Sequence, residues 1–205
     1  MQEVRNADAS LAAYAFAETL YCRGRFADAL ALLERSSFTR TQAPMLNLAA
    51  ACCLTLERVA EAEAEAYYRR SIDIRPDFVE AHNNLGIVLS RSERLREAEA
   101  AYRHVLEIRP NHASAHPNLG RILETRGVLD AARATHLRAL ECNPDDASVH
   151  TNLGACCMQL DRFGEAEAAF RRAASLVPND ARARFNLGTA LKKLARFEET
   201  EAAYR

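Results

Sequence analysis

The chain has 205 residues, 49% of them hydrophobic, with 27 basic and 28 acidic side chains and a formal net charge of −1. Interspersed, balanced charge gives no global attraction for nucleic acid or an anionic membrane surface. No apolar run approaches the ~18 residues that cross a bilayer, and the polar start Met1–Asp8 lacks the basic and apolar segments of a secretion signal, so a cytoplasmic location is expected. Lysine occurs only at Lys192 and Lys193, arginine everywhere else, a bias that reads as GC-rich bacterial coding.

In chain order, residues 1–9 read as an N-terminal extension. A first helical hairpin occupies 10–43, with Gly24 and Phe26 marking its turn, and a second occupies 45–78. From there the sequence keeps a strict beat. Asn-Leu-Gly stands at 84–86, 118–120, 152–154 and 186–188, in steps of 34. Pro76, Pro110, Pro144 and Pro178 hold the same step, as do Ala64, Ala98, Ala132 and Ala166; Tyr68, Tyr102, His136 and Phe170; and His82, His116 and His150. A period of this size marks stacked short units rather than one globular core. Further units therefore follow at 79–112, 113–146, 147–180 and, in part, 181–205.

Within the unit 79–112, Asp77 followed by Glu80 predicts a helix start, because an Asp side chain accepts from free first-turn N–H groups. Helix A then runs to about Ser92, with Leu85 and Leu89 on one face and Gly86 where a second helix crosses closely. Ser92-Glu93-Arg94 breaks the pattern, and helix B runs from Leu95 to Ile108 with an apolar stripe of Ala98, Ala101, Tyr102 and Val105. Pro110 ends it. Glu97, Glu99 and Glu107 alternate with Arg96 and Arg103, the pattern of a solvated outer face. Pro117 lies where helix A of the next unit is already under way; it lacks a backbone donor, so that helix is expected to start late, with Ser114 as its cap, or to bend.

Small or Gly at position 8 of the unit, Ala at 20, an aromatic at 24, a small residue at 27 and Pro at 32 together resemble the tetratricopeptide repeat, over about residues 10 to 205. Ala17 and Cys52 stand where Gly is expected in the first two units. The resemblance implies an all-α fold, a right-handed superhelical solenoid of antiparallel helix pairs. It also implies that positions 2, 5, 6, 9, 12 and 13 of each helix A face a concave groove. Pentatricopeptide arrays, which read RNA, are also helical hairpins, but the 34-residue period and the neutral charge weigh against them.

No catalytic constellation emerges: there is no Gly-rich phosphate loop, nucleophile elbow or paired-Cys metal spacing, and no cofactor is expected. His82, His116 and His150 belong to successive hairpins ~8–10 Å apart, too far to share a zinc ion with ligand bonds of ~2.0–2.1 Å; the resemblance implies a large aromatic at this position, so they read as core fillers. Cys52-Cys53 and Cys156-Cys157 are helical neighbours pointing apart, and with Cys22 and Cys142 they too read as small apolar residues filling helix contacts.

The better candidates are the position 6 asparagines, Asn84, Asn118, Asn152 and Asn186, because a carboxamide complements one backbone peptide group. The second unit has Ala50 at this position. The row is similar to the asparagine ladder of O-GlcNAc transferase, whose repeats hold extended segments. Arg121, Phe185, Lys192 and Lys193 join it as candidate contacts, with Ile87, Met158, Arg91, Arg182 and the acids Glu80 and Glu124 nearby; an acidic ligand is expected toward the carboxyl-terminal end. The carboxylate clamp of chaperone-binding repeats is absent: position 5 reads Asn83, Pro117, Thr151, Phe185, and position 9 reads Ile87, Arg121, Ala155, Thr189. The expected function is a non-catalytic scaffold gripping an extended peptide in the groove. The alternatives are the substrate arm of a glycosyltransferase similar to O-GlcNAc transferase, with its catalytic domain outside this chain, and self-assembly through an uncapped last repeat.

Overall fold

A computed structural model describes residues 2–36, 42–56 and 61–204. Twelve α-helices and no strand occur among the described residues: α1 (Gln2–Cys22), α2 (Phe26–Arg35), α3 (Ala43–Thr55), α4 (Glu61–Ile74), α5 (Val79–Arg91), α6 (Leu95–Ile108), α7 (Ala115–Thr125), α8 (Leu129–Cys142), α9 (Ala147–Gln159), α10 (Phe163–Leu176), α11 (Ala181–Lys193) and α12 (Phe197–Tyr204). α1 begins at Gln2, inside the segment that reads from sequence as an extension.

The chain divides into two compact units, Met1–His104 and Val105–Arg205. In the first, α1 packs on α2, α2 on α3, α3 on α4 and α4 on α5; Tyr102 of α6 closes over Gly86 of α5. In the second, each of α7 to α11 packs on its successor, and α9 also touches α7 and α11. Helix pairs stacked in chain order are what the 34-residue beat demands.

Three local devices recur among the described pairs. The first is the hairpin turn, closed by a residue in the left-handed region: Gly24 (φ 74°), Glu93 (59°), Gly127 (75°), Asp161 (56°) and Ala195 (58°). The N–H of the following residue returns to the helix, as from Arg94 to the Leu89 carbonyl at 2.9 Å and from Val128 to Leu123 at 2.9 Å. This is a Schellman closure, which satisfies helix-end carbonyls. The second device is the close approach at position 8. A Cβ on Gly154 would stand 2.6 Å from the buried Phe170 ring, so only hydrogen fits. The third is the small-residue stripe of helix B: Ala98, Ala132 and Ala166 are each 0% exposed.

Helix starts follow the sequence only in part. Asp146 and Asp180 cap α9 and α11, each accepting from two first-turn N–H groups. At α5 the cap position is held by Phe78, which bonds nothing with its side chain, and Asp77 lies one residue too early to cap. Ser114 stands at the N-cap place of α7 but its side chain makes no capping bond; the late start does hold, since α7 begins at Ala115 and has 11 residues against 13 in α5, α9 and α11. Pro117 is its third residue, where a helix has no acceptor for an N–H in any case.

The outer face is not simply solvated. Glu99 is 5% exposed and pairs with Arg103 at 2.7 Å. Its counterparts Glu65 and Glu167 are mostly buried, and Arg94 and Arg196 reach them from the hairpin turn of the following repeat. Arg69–Glu65–Arg94–Glu97 and Arg171–Glu167–Arg196–Glu199 form matching rings of ion pairs. Partial burial works against ionisation of Glu65, but the bonds from Arg69 and Arg94 hold its carboxyl below the ordinary range.

Candidate functional site

On the odd-numbered helices that carry the candidate asparagines, one stripe with the same spacing reaches solvent. On α9 it runs Ser148, Asn152, Ala155, Gln159; on α5 it runs Glu80, Asn84, Ile87, Arg91. The 4-3-4 spacing is a single helical face, and the residues between its members are mostly buried or half-buried. All four candidate asparagines lie half-buried on these stripes.

Their partners divide them. Asn84, in the first unit, donates through Nδ2 to Asn47 Oδ1 at 3.3 Å, and its own Oδ1 accepts from Asn83 at 3.5 Å. Asn47 of α3 therefore meets the row where the sequence register offered only Ala50, which is fully buried. Asn118, Asn152 and Asn186, all in the second unit, have no side-chain hydrogen bond among the described residues. Their donors and acceptors are available.

Arg121 and Lys192 are exposed without an acidic partner among the described residues. Lys193 places Nζ over the Phe163 ring, 5.7 Å from its centroid. Phe185 is 61% exposed but leans toward the even-helix side, where it lines a cleft of about 260 Å³ with Arg184, Ala203 and Tyr204. Met158 packs against the α9–α10 core.

The histidines at position 4 are not core fillers. His82, His116 and His150 are half-buried, and each places Nε2 2.8 Å from the backbone carbonyl of the proline six residues earlier: Pro76, Pro110 and Pro144. A carbonyl only accepts, so Nε2 carries the hydrogen in either protonation state. Arg184 makes the same bond to Pro178 at 2.7 Å. The shared residue type is a long donor, and its task is to brace the connection from helix B into the next helix A. His116→Ala is expected to destabilise by about 0.5–1.5 kcal/mol, and His116→Arg to restore most of it. Urea denaturation checks this, and wild-type stability in the alanine variant would make the bond incidental.

Two side chains that no sequence pattern connects are joined. His136, 0% exposed at the aromatic position of α8, places Nε2 3.1 Å from Glu124 Oε1 and leaves Nδ1 buried without a partner. Glu124 is thus drawn inward rather than projecting into the groove. Burial and this nearby carboxylate push the Cys156 thiol up to about 12, and burial beside neighbouring thiol and carboxyl groups raises Cys52 and Cys53 to about 11. These are thiols, not nucleophiles. Cys22 and Cys142 are exposed, contrary to the helix-filling role expected for all six.

Two further clefts are not lined by the four candidate asparagines. One of about 460 Å³ in the first unit is lined by His82, His104, Ile72, Leu85 and Asp73 among others; the histidine rings pack edge-on at 4.4 Å. One of about 590 Å³ in the second unit is lined by Pro110, Asn111, His116, Arg138, Glu141 and Cys142, with Leu106. No His, Cys, Asp or Glu grouping among the described residues is suited to hold a metal ion, and no described helix is long and apolar enough to cross a membrane.

Comparison with known proteins gives concordant matches. Residues 62–112 and 83–147 match a tetratricopeptide-repeat family. Residues 116–205 match the family described as the middle TPR-like domain of cilia and flagella-associated protein 70, and residues 3–66 match anaphase-promoting complex, cyclosome, subunit 3. No curated protein matches the sequence significantly. Among solved structures, PilF of Pseudomonas aeruginosa superposes with a TM-score of 0.83 at 18% identity, over 97% of this chain and 90% of that one. MamA from Desulfovibrio magneticus RS-1 gives 0.72 at 20% identity, over 79% and 90%. YrrB, described as a TPR protein with an unusual peptide-binding site, gives 0.71 at 20% identity, over 82% and 89%. At such identities the likeness is one of fold.

Proposed function

Because the chain is a tetratricopeptide-repeat protein, we propose that it is a non-catalytic interaction scaffold whose odd-numbered helices hold an extended peptide segment. The repeats are assigned to 10–43, 45–78, 79–112, 113–146, 147–180 and 181–205. The observation that carries the reading is the row of unpartnered carboxamides, Asn118, Asn152 and Asn186, at equivalent places on helices that touch one another. Packed helices lie ~8–10 Å apart and an extended chain rises ~3.3 Å per residue, so one carboxamide meets about every third peptide group. Each would exchange a bond to water for a bond to the partner's backbone, which favours extended conformation over particular side chains. The peptide-binding site described for YrrB is a precedent on the same fold.

The test is the double variant Asn118→Ala with Asn152→Ala, against peptides selected from a random displayed library on the wild-type chain. Losing two carboxamide contacts should weaken binding by about 1–3 kcal/mol, roughly 5- to 150-fold in Kd by calorimetry, with an unchanged circular dichroism spectrum. Undiminished affinity would mean that the asparagines serve the repeat and not a ligand.

A further inference from the structure

We propose that the segment held by the second unit is acidic, its carboxylates meeting Arg121, Arg182 and Lys192. This rests on the peptide-binding reading above and names the chemistry of the partner.

The inference comes from where charge is paired and where it is not. On the even-helix side of the second unit, Arg133, Arg138, Arg162, Arg171, Arg172 and Arg196 each hold a carboxylate at 2.5 to 2.7 Å. The odd-helix side is different. Arg121, Arg182 and Lys192 are exposed there, with no acidic partner among the described residues. Nor does their own side supply one: Glu124 is the only acid in the sequences of α7, α9 and α11, and His136 occupies it. The capping carboxylates of Asp146 and Asp180 are engaged with backbone N–H groups. A chain that pairs its arginines on one side leaves three cations on α7 and α11, the helices that carry Asn118 and Asn186. The first unit lacks this bias, since the α5 stripe carries Glu80 as well as Arg91.

From α7 to α11 is two helix spacings, about 16–20 Å, or five to six residues of extended chain. Acidic residues separated by about that interval would meet Arg121 at one end and Arg182 or Lys192 at the other. Exposed pairs are individually weak and screened by salt, so they select among extended segments while the carboxamides hold the backbone. A single-stranded nucleic acid would also meet the cations, but it offers no peptide groups to the asparagines.

The experiment uses the full chain and fluorescence anisotropy with labelled peptides about twelve residues long, long enough to span the unit. One probe repeats Glu-Ser-Ala, one Gln-Ser-Ala, and labelled oligouridylate is the third. At low salt the Glu peptide is expected to bind roughly tenfold tighter than the Gln peptide, the sum of three weak pairs, with the advantage vanishing at high salt. Arg121→Gln, Arg182→Gln and Lys192→Gln together should equalise the two peptides. The control pair Arg138→Gln with Arg172→Gln, on the opposite side, should leave the preference intact. Equal binding of both peptides by the wild type, with weakening of both by Asn118→Ala and Asn152→Ala, overturns the acidic preference and leaves the scaffold reading standing. Binding of neither peptide overturns both, and tighter binding of oligouridylate than of the Glu peptide overturns the choice of partner.

Discussion

Phe170→Ala is expected to lower the free energy of unfolding by about 3–5 kcal/mol, the usual cost of deleting a fully packed aromatic ring. Phe170 is 2% exposed and lies in a cluster with Leu153, Cys157, Ala166, Ala169 and Ala190, contributed by α9, α10 and α11. The alanines and Gly154 around it have no length with which to fill the void, so the cavity stays open. Tyr204 stands 34 positions later at the equivalent place on α12, and it is 49% exposed. Tyr204→Ala should therefore cost less than about 1 kcal/mol. Urea denaturation followed by far-UV circular dichroism measures both. In a stack where units contact only neighbours, hydrogen exchange should show the Phe170 defect as faster exchange in α9, α10 and α11, with α3 and α4 still protected. Equal costs at the two positions would mean that burial does not govern the aromatic site.

The contrast between what is legible in the sequence and what is hidden there follows from the kind of information a period carries. The 34-residue step and the apolar stripe fix the phase of each helix. Helix B at Leu95–Ile108, the late start of α7 behind Ser114 and the 0% exposure of Ala98, Ala132 and Ala166 are accordingly readable. A phase does not say which atom a polar side chain reaches. His82, His116 and His150 stand where the family prefers a large aromatic and so read as fillers, yet each bonds a carbonyl across a connection. The missed signal is Arg184 in the fourth place: four long donors, each six residues after a proline, point to a common acceptor. Glu99 reads as solvated from charge alternation alone, which does not register how deeply a carboxylate is packed. For the candidate site, the phase identifies which residues share the exposed stripe. It does not reveal that Asn84 is already bonded to Asn47, or that Glu124 turns inward to His136.

Gly154→Ala and Gly188→Ala, the same change at equivalent positions, are expected to have opposite signs. Neither glycine is in the left-handed region, so a methyl group meets no backbone strain at either place. Alanine in a helix interior is favoured over glycine by about 1 kcal/mol, and both variants receive that gain. What differs is the ring opposite. The new Cβ at 154 would lie 2.6 Å from Phe170 Cε1, and that ring is enclosed by the α9–α11 cluster. Overpacking of about 1–3 kcal/mol then exceeds the helical gain, for a net loss of up to about 2 kcal/mol. At 188 the Cβ would come closer still to Tyr204, but that ring is half in solvent, with Phe185 beside it at 5.7 Å between centroids, and it swings aside. Gly188→Ala should then stabilise by up to about 1 kcal/mol. A double-mutant cycle isolates the contact: with Phe170→Leu in place, Gly154→Ala should lose most of its cost, a coupling absent for Gly188→Ala with Tyr204→Leu. If both glycine variants destabilise equally, close approach of the helix backbones, and not the ring, is what requires glycine at this position.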